Sequence, residues 1–261
     1  MTPWDTRALL RALGAASLGL VVVWLVTAAS DEGQLTIGAR AGRTLPLAPL
    51  CSAVGAVLAL GTARVRQESL AFEALGRSPA ETGRAAAIGA ALPSLFVALA
   101  IGILPSIDVG AFFPRAAAGE TFLHTDHGFV SPSLGVRIDE EGETQPLEAA
   151  TELGDASLPS GARLAAALAT GLAGLSLALV AARASLRRSL LDDPERRRMR
   201  ILAFGEGLAC AVAMLVAFQA AAAKVAPAAL AALPPAVLLG IAVARLRGPA
   251  DPSQPVERSK A

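Results

Sequence analysis

The chain has 261 residues, 54% of them hydrophobic and only 17% charged, with 23 Lys and Arg against 22 Asp and Glu for a formal net charge of +1. Such a chain is too apolar for an ordinary soluble domain and reads as an integral membrane protein. The balanced charge supplies no field for nucleic acid, which is excluded as a partner. Cys51 and Cys210 each sit inside an apolar run and read as small buried hydrophobes rather than a disulfide or a metal pair.

Crossing a hydrocarbon core of about 30 Å takes roughly 20 helical residues. Six stretches are long and apolar enough: 9–29, 45–63, 85–105, 164–182, 201–223 and 226–245. Arg7 and Arg11 ahead of the first run, and VTAAS near its end, also fit a signal peptide, although the run exceeds a usual h-region. Between the second and third runs lies RQESLAFEALGRSPAE, residues 66–81. Its pattern predicts a short helix over 65–76 with Val65, Ser69, Phe72 and Leu75 on one side and Arg66, Glu68 and Glu73 toward water. Gly76 supplies a left-handed stop. Ser78, Pro79 and Glu81 then fit N-cap, first helical position and third position of a capping box that starts the next helix.

Lys and Arg concentrate in two short connections, 64–84 and 183–200, which places both in the cytoplasm together with the two termini. The long connection 106–160 is acidic, with Arg115 and Arg137 as its cations, and belongs outside. Its pieces FLHTDHGFV and LGVRIDEEGETQPLE alternate apolar and polar residues around glycine-containing turns, the pattern of short strands. His124 and His127 with Asp126 between them offer three metal ligands, but a solvated turn is the better reading and no metal is expected. Residues 248–261, rich in proline and polar groups, read as a disordered tail.

Two polar residues fall inside predicted crossings. Glu206 is either a carboxylate for gating or ion coupling or one that pairs near Arg200 at the cytoplasmic end; Gln219, deeper on the same helix, is a candidate for a hydrogen bond across the bundle. On the outer side Arg40, Arg43, Arg163 and Lys224 run against the positive-inside bias and are candidates for holding lipid headgroups, or for simple anchoring and pairing with Asp31 and Glu32. No G-x-x-x-x-G-K-[ST] loop occurs, so ATP-driven work needs a separate ATPase. G-x-S-x-G is absent too, no nucleophile constellation gathers, and no enzyme active site or cofactor is expected.

The run ESLAFEALGRSPAETGRAAAIGAALPSLFVALAIGILP, with LPLAPL at 45–50 before it and APAALAALPPAVLLG at 226–240 ahead of the last crossing, resembles the lipopolysaccharide-export ABC permeases of the LptF/LptG (YjgP/YjgQ) family. The matching positions are Glu68, Ala71, Ala74, Leu75, Gly76, Ser78 and Pro79, and the order of parts agrees: three crossings, one external domain, three crossings. The resemblance implies a bacterial inner-membrane subunit that pairs with a second, similar or identical permease and with cytoplasmic ABC ATPases that bind the ATP. It also implies a lipid substrate drawn from the outer leaflet through a wall built here from 9–29, 45–63 and 201–223. The helix at 65–76 becomes a coupling helix, with Phe72 and Leu75 docking into the ATPase, Glu68, Glu73 and Arg77 pairing at the rim and Gly76 fixing the turn. Residues 106–160 are too few for the family's external β-jellyroll, which leaves two other readings: a permease-like mechanotransmitter acting on a periplasmic partner, and a membrane scaffold with no ATPase.

The expected architecture is therefore an all-α integral membrane protein. Its N-terminal three-helix half is 1–105, a small β-containing periplasmic insertion is 106–160, the C-terminal three-helix half is 161–247 and the tail is 248–261.

Overall fold

The computed structural model of the chain describes residues 2–30, 36–113, 123–125, 128–131, 136–138, 142–146, 158–186 and 193–247. The helices are α1 (Pro3–Ser30), α2 (Ile37–Thr44), α3 (Ala48–Leu60), α4 (Ala63–Ala74), α5 (Pro79–Ile103), α6 (Ala162–Leu186), α7 (Asp193–Ala222) and α8 (Leu233–Arg247). A 3-10 turn, Leu45–Leu47, joins α2 to α3 so that Ile37–Leu60 acts as one span. Among the described residues six helical spans are long and apolar enough to cross a membrane, a multi-pass membrane protein by length and composition.

The first span begins at Pro3, six residues earlier than the hydropathy pattern sets it, and the reason is local. Thr2 is an N-cap: the Asp5 N–H donates to its hydroxyl at 3.3 Å, while the Thr2 N–H and hydroxyl donate to the Asp5 carboxylate at 2.8 and 2.9 Å. This reciprocal box satisfies donors that would otherwise be orphaned, and Pro3 fits the first helical turn.

Small residues set the packing. α3, α5 and α6 form the centre of the bundle, with half or more of each span buried, whereas only 11% of the α1 and α7 windows is covered. At that centre the Ser52 and Ser94 hydroxyls hydrogen-bond at 2.7 Å between α3 and α5. Gly174 of α6 sits against them, and a Cβ there would lie 2.3 Å from the Ser94 Cβ. The absent side chain is what lets α5 and α6 close; without a hydrophobic drive between helices in lipid, such close approach and interhelical hydrogen bonds supply the attraction. The GLAG stretch at 171–174, too short to name an interface from sequence, is thus an α5–α6 contact, with Gly171 facing Ala98.

After α5 the chain does not leave the bundle at once. Ile107, Val109, Phe112 and Phe113 are buried, and both phenylalanines pack on Phe218 of α7 with ring centroids 5.9 and 5.1 Å apart. The Asp108 N–H donates to the Gly38 carbonyl of α2. The boundary drawn at 105 therefore assigns to the insertion a segment, 106–113, whose apolar residues complete the helical core. Further on, among the described residues, are four short antiparallel strands, β1 (Leu123–Thr125), β2 (Gly128–Ser131), β3 (Val136–Ile138) and β4 (Thr144–Pro146), in the order β1-β2-β3-β4. The tail 248–261 and His127 lie outside the described residues.

Candidate functional site

α4 is fixed at both ends by local capping bonds. Thr62 caps its start, accepting from the Val65 N–H. At its end the Arg77 N–H donates to the Phe72 carbonyl and the Gly76 N–H to the Glu73 carbonyl, both at 2.9 Å, the paired bonds of a Schellman motif. Gly76 takes φ +87°, the left-handed conformation that glycine adopts without a Cβ penalty. Two residues later Ser78 and Glu81 form the reciprocal capping box that starts α5, with Pro79 at its first position. Helix, stop and restart thus follow with no slack between them.

The side chains tie this unit to α1. Arg77 forms an ion pair with Asp5, whose side chain is 9% exposed, and its guanidinium lies over the Trp4 ring at 5.8 Å and the Phe72 ring at 5.6 Å. Trp4 and Phe72 meet edge to face with centroids 5.5 Å apart. One planar cation between two aromatic faces and a carboxylate uses both of arginine's modes, fork and stacking. Sequence reasoning placed Arg77 at the rim of a partner contact and passed over Trp4 and Asp5. The signal was present in TPWD, a Thr-x-x-Asp box with Pro at the first helical position.

The faces of α4 differ from the expected ones. Val65 and Ser69 are buried and Phe72 is half-buried against the bundle, while Leu75 is 82% exposed. A helix advances about 100° per residue, so Leu75, about 300° on from Phe72, points about 60° away from it and off the edge of the Val65–Ser69–Phe72 stripe, and it sits at the C-cap, past the last helical residue. The outward face carries Gln67, Leu70, Ala71, Ala74 and Leu75. Glu73 does not face water: both its carboxylate oxygens are covered. Glu68 accepts from the Arg64 Nε at 3.0 Å. That bond, aided by the charges of Arg64 and Arg7 and by Trp4, holds its carboxyl below the ordinary glutamate value against a smaller opposing effect of burial.

The four cations that charge bias assigned to the outer side each fall at the bundle end opposite α4, yet their surroundings differ. Arg163 is committed: its two terminal nitrogens donate to the carbonyls of Ile101, Leu104, Pro105 and Ile107 at 2.6 to 3.2 Å, closing the C-terminal end of α5. Arg40 stacks over Trp24 at 6.0 Å, and Arg43 is exposed on α2. Lys224 ends α7 with φ +58°, and the paired bonds Val225 N–H to Ala220 carbonyl and Lys224 N–H to Ala221 carbonyl make it the left-handed residue of a second Schellman motif. Glu206 pairs with Arg245 of α8, not with Arg200, six residues earlier on its own helix. Gln219 is exposed on the outer face of α7 instead of reaching across the bundle. Among the described residues no group of three or more His, Cys, Asp and Glu gathers at metal-binding distance.

Comparison with protein-family models, with curated proteins and with solved structures returned no match.

Proposed function

We propose that this chain is the membrane subunit of an ATP-driven machine of the lipid-exporting permease kind. α4 lies on the cytoplasmic side as the contact for a separate ABC ATPase, and a second permease subunit, similar or identical, completes the complex. The observation that carries the reading is the mechanical build of α4. A helix capped at both ends, restarted without slack into α5 and tied to α1 by Arg77 and Asp5 is a lever that moves two spans when pushed.

Its free face, Leu70, Ala71, Ala74 and Leu75, is apolar and turned away from the bundle, the surface an ATPase groove takes up in helix-in-groove binding. Phe72, taken up by Trp4 and Arg77, steadies the lever instead of entering the partner. The thinly covered spans α1 and α7 expose Leu18, Val21 and Leu25, and Leu208, Val212 and Leu215, a pair of surfaces suited to lipid substrate and second subunit. This reading sets both termini in the cytoplasm of a bacterial inner membrane and the β1–β4 meander in the periplasm.

The small size of that meander, strands of three or four residues, favours one further reading: ATP-driven motion passed to a periplasmic partner rather than lipid handed along a bridge. Gentle detergent extraction followed by identification of co-purifying chains tests the shared core of both. An ABC ATPase with a phosphate-binding loop is expected with the wild type and lost with Leu75→Asp or Glu68→Arg. A wild-type preparation with no ATPase points to a scaffold and refutes the proposal.

A further inference from the structure

A cleft of about 380 Å³ opens beside the start of α4, between α1 and the end of α3, lined by Arg11, Ala15, Leu58, Ala59, Thr62 and Arg64. A smaller cleft, sharing Arg11 and Ala59, continues it toward Trp4, Arg7, Val65 and Glu68. The volume falls in the range of small-ligand sites, roughly 300 to 1,000 Å³. Its lining is divided in chemistry. Arg11, Arg64 and Thr62 bring two guanidiniums and a hydroxyl; Ala15, Leu58 and Ala59 are apolar.

Arg11 is the informative residue. It lies two turns inside a span whose neighbouring surface, Leu10, Leu18 and Leu58, is more than half exposed and apolar. A guanidinium facing hydrocarbon is disfavoured by roughly 2.5 to 3.5 kcal/mol on insertion scales unless it reaches an anion or water. Among the described residues Arg11 has no hydrogen-bonded or ionic partner of its own. Glu68, the acid nearest the clefts, is engaged by the Nε of Arg64, which leaves the two terminal nitrogens of Arg64 for another acceptor. With Arg7, three cations face one carboxylate, an excess of positive charge where an apolar surface ends.

We infer that this cleft binds one anionic phospholipid of the surrounding leaflet, its phosphate bridged by Arg11 and Arg64 and one acyl chain lying over Ala15 and Leu58. Phosphate takes the paired donors of a guanidinium fork, and the apolar lining runs directly onto lipid-facing surface. The site stands apart from the exported substrate proposed above, which is drawn from the opposite leaflet. It places a bound lipid between α1 and the first turn of α4, while the Arg77–Asp5 pair ties the far end of α4 to α1. A lipid there stabilises the seat of the lever.

Native mass spectrometry of the full chain released from nanodiscs of mixed phosphatidylglycerol and phosphatidylcholine tests this, with melting temperature in micelles titrated with each lipid as a second readout. The expected result is one retained phosphatidylglycerol per chain. Retention falls about tenfold with Arg11→Gln plus Arg64→Gln, as loss of charge-assisted bonds requires. Leu58→Trp, which fills the cleft and leaves both arginines in place, lowers retention as well, while Arg43→Gln at the other end changes nothing. Equal retention of the two lipids, retention unaffected by both the double substitution and Leu58→Trp, or full displacement of lipid by millimolar inorganic phosphate would overturn the assignment.

Discussion

Removing the Arg77 guanidinium is the sharpest perturbation of the lever. Arg77→Ala takes away a charge-assisted bond to a carboxylate that is 9% exposed, together with stacking on Trp4 and Phe72. The bond contributes about 1.5 to 3 kcal/mol, and each cation–π contact about 0.5 to 1 kcal/mol at a partly exposed site. Arg77 is 22% exposed, so the lower end of the first range applies, and a total of about 3 kcal/mol follows. Asp5→Asn keeps the rings and the Thr2 cap acceptor but loses the ionic part, about 1.5 kcal/mol; Arg77→Lys keeps charge and loses the planar stack, about 1 kcal/mol. Hydrogen exchange at the α4 amides reads these values directly, because α4 opens as a local unit whose opening equilibrium shifts by about tenfold per 1.4 kcal/mol. Protection factors should fall in the order Arg77→Ala, Asp5→Asn, Arg77→Lys, with the double variant Asp5→Asn plus Arg77→Ala little worse than Arg77→Ala alone. Unchanged α4 protection in Arg77→Ala, or fully additive losses, would show that α4 is not held through this pair.

The two left-handed residues give opposite expectations: Gly76→Ala, which meets no atom within 4 Å yet keeps φ +87°, should destabilise by about 1 kcal/mol, and Lys224→Gly should stabilise by a similar amount, both read by melting in detergent. Gly174→Ala drives a methyl into Ser94 and should destabilise the α5–α6 contact by about 1 to 3 kcal/mol, with Ser94→Gly restoring part of the loss. Glu68 has its carboxyl lowered in the folded chain, so its pairing with Arg64 is fully present above the ordinary glutamate value and is lost as pH falls through the lowered one. α4 protection should therefore show an acid-side decline that Glu68→Gln removes, and a decline left intact in Glu68→Gln would refute the assignment.

What could be read from residues was what local chemistry decides. Hydropathy found six spans, and the stretch from Gly76 to Glu81 announced its own geometry, because a left-handed stop and a capping box involve neighbours in sequence. The same rule applied to TPWD would have started α1 at Pro3, and its hydropathy window hid that. Contacts between distant elements were not legible. Nothing in the order of residues says that Arg163 turns back onto the carbonyls at the end of α5, that Glu206 finds Arg245, or that Phe72 is claimed by Trp4 at the start of α1. Charge bias grouped Arg163 with Arg43 as headgroup ligands, yet one is consumed by backbone and the other is exposed; periodicity put Leu75 with Phe72, yet Leu75 lies at the C-cap, about 60° off the buried stripe, and is exposed.

The most direct test of the lever is a photo-crosslinking amino acid placed at Leu75 in native membranes, with the same group at Phe72 as reference. The expected product is a covalent adduct at 75 to an ATPase subunit carrying a phosphate-binding loop, its yield changing with ATP, and little or none at 72. An ATPase adduct at 72 and not at 75, or the absence of any ATPase adduct at 75, would contradict the claim that this outward face of α4 is where ATP-driven motion enters the membrane domain.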